Sequence, residues 1–409
     1  MSDTVRQQYE AYPYPARDPK DEAKRLISGS PSHLDELTHF LFRGRLERNP
    51  FRVLFAGGGT GDGLVMLAQQ THDADISAEI TYLDLSSASR AIAEARIRAR
   101  GLTNVRFVTG SLLSVSELAP GPYDYIDCCG VLHHLEDPDA GLAALKSVLA
   151  PGGGMGLMVY GALGRTGVYP MQRALRILDE GLTPDRQVAL AKQLMAAIPN
   201  TNLFKRNAVL ADHKASDAEL YDLLLHSQDV PFSHDDVLAW LDRAGTALVS
   251  HALPTLYQPE TYLSDPRLAR RTADLSPATR AALAEDLSGA IKTHIVYAAR
   301  AEEASDRIAD VDDPKMIPIL RAIDRERLAK SLAKGQPMSV TLEDQPISQA
   351  MPPLASAIIG RCDGQTSIGE IHEQLVALRG SLEWAEFKRQ FDLAYDAMNG
   401  IGKMYLRAS

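Results

Sequence analysis

Val53-Leu54-Phe55-Ala56-Gly57-Gly58-Gly59-Thr60-Gly61-Asp62-Gly63 is the stretch whose reading decides the fold. An apolar run reads as a buried strand, the glycines as a tight turn, and Leu64-Val65-Met66-Leu67-Ala68 as the start of a helix. Glycine adopts positive φ freely and, lacking a Cβ, lets a ligand approach the main chain. The amides of such a turn and of the helix N-terminus face an anionic group such as a carboxylate or phosphate. Further on, Ile80-Thr81-Tyr82-Leu83-Asp84-Leu85-Ser86 reads as a second buried strand ending in a carboxylate. It lies about 20 residues past the glycines, the spacing at which a βαβ unit sets an acid on a ribose diol. Asp84 also reads as an N-cap for a helix opening at Ser86, and one residue at a strand end can do both.

The chain continues in the same alternation. Ala91 to Arg100 is helical, with Gly101 closing it. Val105-Arg106-Phe107-Val108 is a third strand, followed by Thr109-Gly110-Ser111-Leu112. Tyr125-Ile126-Asp127-Cys128-Cys129 is a fourth, running into Gly130-Val131-Leu132-His133-His134-Leu135-Glu136-Asp137-Pro138. A helix and Pro151-Gly152-Gly153-Gly154 lead into a fifth strand, Met155 to Tyr160. Such alternation predicts an α/β fold with a doubly wound, mostly parallel sheet, its ligands at the carboxyl ends of the strands.

Composition narrows the function. The 409 residues suggest two to three domains, and 45% hydrophobic with 23% charged residues is ordinary for a globular protein. A net charge of −10 argues against a general nucleic-acid binder, which needs a basic face. No apolar run has the ~18 residues of a spanning helix, and the start lacks the apolar core of a secretion signal. The only cysteines are Cys128, Cys129 and Cys362, and no His/Cys ligand spacing is evident. The expectation is a cytoplasmic, metal-free protein with neither nucleic acid nor membrane as partner.

The Gly-Gly-Gly-Thr-Gly turn, the strand ending at Asp84, the Gly110-Ser111 turn, Cys-Cys-Gly-Val-Leu-His-His-Leu-Glu-Asp-Pro and Leu-Ala-Pro-Gly-Gly-Gly occur in one order. Over residues 50 to 160 this series resembles the class I S-adenosylmethionine-dependent methyltransferases, whose sheet has seven strands. The resemblance implies that Gly57, Gly59 and Gly61 face the methionine part of S-adenosylmethionine and that Asp84 holds the ribose hydroxyls. It places Ser111 and Leu112 beside the adenine and Cys129 to His133 on the methyl-donor side. Ala56, Gly58, Leu85 and Gly130 are counted with the same cofactor site. Two positions depart from the family. Phe55 stands near the end of the first strand and Ser111 at the adenine turn, where an acid is usual. Each lost charge-assisted contact is worth ~1.5–3 kcal/mol.

The flanks are read against that core. In the arm, residues 1–48, Tyr9, Tyr12 and Tyr14 alternate with Pro13 and Pro15. The prolines hold it extended, so Tyr14 is a candidate to close over the cofactor, where a ring face within ~6 Å of a sulfonium contributes ~0.5–2 kcal/mol. Packing on the core is the other reading of these rings. Ser32 reads as the cap of a helix running to Arg43. Residues 49–302 form the transferase domain, with helical insertions at 161–232 and 252–290. His133 and His134 are the candidates for proton handling, the other reading being that one packs in the fold and the other caps a loop. His133 joins Arg165 and Tyr169 of the glycine-rich loop after the fifth strand as the acceptor-side residues, Arg165 being suited to an acceptor's carboxylate or phosphate. His213 and His226 read as surface or core histidines. A late strand, Thr293 to Ala299, is antiparallel between the fifth and sixth strands in the family. Residues 303–409 resemble, locally, winged-helix-like accessory domains, suited to dimerisation or pocket covering. The expected function is methyl transfer by in-line displacement to a small molecule. A protein or peptide acceptor, and a non-catalytic cofactor-binding regulator, are the alternatives.

Overall fold

Phe51–Ala56 forms β1, buried except at Arg52, because four consecutive apolar side chains, Val53 to Ala56, suit a strand covered on both faces. The computed structural model describes residues 9–10, 12–179, 181–214 and 216–408. Strands β2 (Ala78–Asp84), β3 (Val105–Thr109), β4 (Tyr123–Cys129) and β5 (Leu149–Tyr160) run parallel to β1. β6 (Thr246–His251) and β7 (Thr293–Arg300) complete a seven-stranded sheet of order β3-β2-β1-β4-β5-β7-β6. β7 is antiparallel to both neighbours and lies between β5 and β6, as the resemblance implies.

Helices α1 (Leu34–Leu41), α2 (Asp62–Asp73), α3 (Ser87–Ala99) and α4 (Pro138–Ser147) flank the sheet. One core joins Leu54, Ile126, Leu142 and Trp240; a second joins Phe40, Phe51, Val65 and Ile97. An insertion follows β5: α5 (Val168–Leu178), α6 (Pro184–Ala197) and α7 (Asp217–Leu224) pack around Met171, Leu175, Val188 and Leu220. α8 (His234–Arg243) is closed by a capping box between Ser233 and Asp236.

The C-terminal part has its own core around Ile358, Ile371, Phe387 and Met398. Its strands pair in two ribbons: β8 (Ile317–Leu320) with β11 (Met404–Arg407), and β9 (Met338–Leu342) with β10 (Gln345–Gln349). Among the described residues no helix is long and apolar enough to cross a membrane.

Ser32 does not cap α1. The N-cap is His33, without a side-chain cap bond. Ser32 has φ +80, is wholly buried, and its hydroxyl meets Tyr125 Oη at 2.9 Å and donates to Asp127 Oδ2 at 2.5 Å. The helix also stops at Leu41, before Arg43, which turns to φ +54.

Candidate active site

The glycine turn leaves β1 with φ +77 at Gly57 and +52 at Gly59. A Cβ on Gly57 would lie 2.4 Å from Val131 Cγ2, and one on Gly59 2.9 Å from the Tyr14 carbonyl oxygen. Any side chain at either position would fill the cradle above the strand ends. Asp84 sits beside it at the end of β2. One of its oxygens accepts the Gly59 N–H at 2.8 Å and the other the Ser86 N–H at 2.8 Å. Each oxygen keeps a lone pair. Burial pushes the Asp84 pKa up, and these backbone donors pull it back. The capping role belongs to Ser86, whose hydroxyl accepts the Ser89 N–H at 3.1 Å.

A cavity of about 790 Å³ opens over these elements. Gly57, Gly58, Gly59, Asp84 and Leu85 line it, as do Ser111, Leu112, Cys129, Gly130 and Tyr14. Ala56 and Gly61 do not. Ala56 is buried in the core beneath the turn, and Gly61 packs toward Ala93 of α3, 3.1 Å from where its Cβ would stand. Tyr14 is held by its backbone, its carbonyl accepting the Thr60 N–H at 3.3 Å. Arg17 clamps the same arm to Asp62 at the start of α2, at 2.6 and 2.9 Å. Phe55 is the register partner of Asp127 on β4, and both line the cavity. Sequence reading missed Asp127 as a site residue because it lies inside an apolar strand. Burial raises its pKa to about 7, against the Ser32 hydrogen bond.

At the other end of the cavity stand Tyr160, Arg165, Asp222 and His134. Arg165 is only 3% exposed; its guanidinium lies 3.6 Å from the centre of the Tyr160 ring and bonds Asp229 at 3.1 Å. Its charge is therefore already paired with Asp229, while the residue still lines the cavity. Tyr169 is drawn into the same group, its hydroxyl accepting from Arg165 Nε at 3.3 Å, but it is not part of the cavity wall. His133 is fully buried behind that wall, its ring 4.0 Å from Tyr160, and neither of its nitrogens has a hydrogen-bond partner among the described residues. Burial holds its pKa well below the usual imidazole range.

His134 lines the cavity in its place. Its ring stacks on His226 with centroids 3.7 Å apart and planes at 20°. His226, read as a surface or core histidine, is a buried one that stacks on His134 without lining the cavity itself. One ligating atom each from His134, Asp222 and His226, and likewise from His133, His134 and Asp229, lie within 4.8 Å of one another. Helix α7 and the turn after it deliver Asp222, His226 and Asp229, a convergence that no spacing within β4 or β5 announces.

The sequence over residues 54–155 matches the model of a methyltransferase domain. Over 314 residues the chain is 32% identical to an uncharacterized protein of Synechococcus sp., covering 73% of this chain and 72% of that one. The tRNA 5-carboxymethoxyuridine methyltransferase of Escherichia coli K12 is 34% identical over 114 residues, 28% of this chain and 41% of that enzyme. In fold, PKMT2 from Rickettsia typhi in complex with AdoHcy superposes with a TM-score of 0.65 at 15% identity, over 92% of this chain and 76% of that one. S-adenosylmethionine carries a carboxylate, an ammonium, a sulfonium and a ribose diol. The site offers a cradle that a Cβ would fill, a carboxylate with spare lone pairs at Asp84 and a buried carboxylate at Asp127. The donor set fits the cofactor. The chain belongs to the class I S-adenosylmethionine-dependent methyltransferases.

Proposed function

We propose that this methyltransferase acts on a small molecule enclosed between the glycine turn, the helical insertion and the C-terminal hairpin. One observation carries this reading. A single cavity runs from Gly57 and Asp84, past His134 and Asp222, to Thr341, Glu343 and Asp344 of the β9–β10 hairpin. Its volume of about 790 Å³ falls within the ~300–1,000 Å³ of small-molecule sites.

In this reading Gly57, Gly59 and the N-terminus of α2 take the cofactor's carboxylate, and Asp84 its ribose hydroxyls. Ser111 and Leu112 border the adenine, and Tyr14 covers the cofactor. When bound, S-adenosylmethionine supplies a methyl group on a positively charged sulfur. The protein's part is positioning, which an in-line displacement needs above all. Tyr160 and Arg165, the latter held by Asp229, form the back wall, and the hairpin closes the mouth.

The test is incubation with methyl-labelled cofactor and extract of the protein's own host, then separation of soluble from precipitable material. Label in soluble small molecules is the expected result. Label in precipitated protein would replace this reading with a protein acceptor met by the C-terminal hairpin. Cofactor binding without label in either fraction would also sink it.

A further inference from the structure

Phe55 stands at the end of β1 where the family carries an acid, and its register partner on β4 is Asp127. Register partners on adjacent strands project from the same face of a sheet, so a carboxylate stands one strand over from the usual place. Both residues line the cavity, and Asp127 keeps 6% of its surface open. The N-terminus of α2 comes to meet them. A Cβ on Gly63 would lie 3.1 Å from Phe55 Cε1 and 3.8 Å from Asp127 Oδ2.

The hydrogens around this carboxylate point at it. Ser32 Oγ donates to Asp127 Oδ2 at 2.5 Å, which uses the serine's single hydrogen. Tyr125, 2.9 Å from Ser32 Oγ, is then the donor in that contact. The Cys129 N–H also bonds the carboxylate. Such donors favour the ionised form, yet none of the groups acting on Asp127 is a cation. Other carboxylates of the cavity are provided for. Arg17 and Arg96 hold Asp62, Lys292 meets Asp344, and backbone N–H groups bond Asp84. A carboxylate has about four lone-pair sites, so Asp127 keeps roughly two for a guest.

We propose that Asp127 holds the α-ammonium of S-adenosylmethionine, in place of the acid that position 55 lacks. This rests on the cofactor site described above and is independent of the acceptor. The cofactor's carboxylate and ammonium sit on one carbon, so their receptors must be neighbours. The N-terminus of α2 offers partial positive charge to the first. Asp127 Oδ2, beside Gly63, offers negative charge to the second. An ammonium on the acceptor molecule is the other candidate, but the wall formed by Tyr160 and Asp222 stands at the opposite end of the cavity.

A proton is the ammonium's rival for this site. In ligand-free protein burial raises the Asp127 pKa to about 7, so at pH 6.5 most molecules carry a proton there. A bound ammonium favours the charged form, which lowers the pKa in the complex and expels that proton. Cofactor affinity therefore falls as pH drops below about 7, by up to about tenfold per unit, and is level just above it. The titratable groups facing Asp127 are Tyr125, Cys128 and Cys129 of its own strand. Glu36 of α1 acts on the same Tyr125, and Asp62 of α2 on the same Cys129. Burial holds the tyrosine and both cysteines above their usual ranges, and Arg17 and Arg96 hold Asp62 below its own. Glu36 is raised by burial and paired with Arg321, away from the ligand.

The test is calorimetry of the full chain with S-adenosylhomocysteine, which keeps the ammonium, and with its deaminated analogue, which lacks it. Titrations at pH 6.5 in buffers of different ionisation enthalpy read the proton release directly. Wild type should release most of one proton on binding S-adenosylhomocysteine and almost none with the analogue. At pH 7.5 the analogue should bind wild type about ten- to a hundredfold more weakly, as the loss of a charge-assisted bond implies. Asp127→Asn should weaken S-adenosylhomocysteine by a comparable factor, bind the analogue within about threefold of wild type, and release no proton. The wild-type comparison of the two ligands decides the matter even where the variant does not fold. Equal affinity of wild type for both ligands, equal proton release with both, or none with S-adenosylhomocysteine would overturn the proposal. So would an Asp127→Asn variant that keeps its affinity for S-adenosylhomocysteine or loses both ligands alike. Failure of wild type to bind S-adenosylhomocysteine at all would overturn the placement of the cofactor as well.

Discussion

Glu36 and Arg321, 285 residues apart in the chain, form an ion pair in the interior. Glu36 is fully buried and also accepts from Ser30 at 2.7 Å, Tyr297 at 2.9 Å and Tyr405 at 3.1 Å. One carboxylate thus gathers the N-terminal arm, β7 and the C-terminal ribbon. Removing a single partner of such a pair leaves an uncompensated buried charge and costs ~3–5 kcal/mol. Arg321→Ala is expected to lose that much in urea denaturation. The double change Arg321→Met with Glu36→Gln should lose clearly less.

Asp84 is the residue on which cofactor affinity should depend most. Hydrogen bonds to a charged group are worth ~1.5–3 kcal/mol, so Asp84→Ala should weaken binding by about ten- to a hundredfold. The variant also frees the Gly59 and Ser86 N–H groups, so the glycine turn should loosen. Calorimetry reads the first effect, and amide exchange at residues 57–61 the second. Unchanged affinity would show that the ribose lies elsewhere.

Asp127 should make stability depend on pH. Its folded pKa is raised to about 7 by burial, above the ~3.9 of an unfolded aspartate. The folded state therefore binds the proton more tightly. The resulting stabilisation is full below about pH 4 and is lost as pH rises through about 7. Asp127→Asn removes that dependence. In ligand-free protein it should raise stability relative to wild type at pH 8, by up to a few kcal/mol at ~1.4 kcal/mol per pKa unit, and shift it less at pH 5. Paired urea titrations at the two values decide it. Equal shifts would mean that Asp127 titrates normally.

Arg17 should govern the arm. It grips Asp62, which Arg96 also holds at 2.7 Å. Arg17→Ala should speed proteolytic cleavage within residues 9–31 and raise the dissociation rate of S-adenosylhomocysteine several-fold, measured by stopped flow. The sheet itself should keep its melting temperature within a few degrees, since the pair is partly exposed and such pairs contribute ~0–1 kcal/mol. Unchanged release would mean that the arm is not the barrier.

The sheet was legible because its signals are local. Alternating apolar runs and glycine turns name β1 to β5, and Asp84 announces itself by distance along the chain. The acceptor wall was legible only in part. Arg165 was found from its place after β5, but its partner Asp229 lies 64 residues on, and no periodicity links them. Choosing between His133 and His134 was beyond any pattern. The two are adjacent, and only the short turn Leu132–His134 decides which ring reaches the cavity. Ser32 misled for a related reason: it has the composition of a cap, but burial beside Asp127 gave its hydroxyl a better partner.

The β9–β10 hairpin contributes Thr341, Glu343 and Asp344 to a cavity whose floor is the sheet. Glu343 and Asp344 both adopt positive φ there, and Asp344 meets Lys292 at 3.1 Å. The doorway is thus built from different cloth than the engine behind it. If the acceptor is the enclosed small molecule proposed above, rewriting a handful of residues at this one hairpin changes which guests are admitted while every strand of the sheet stays as it is.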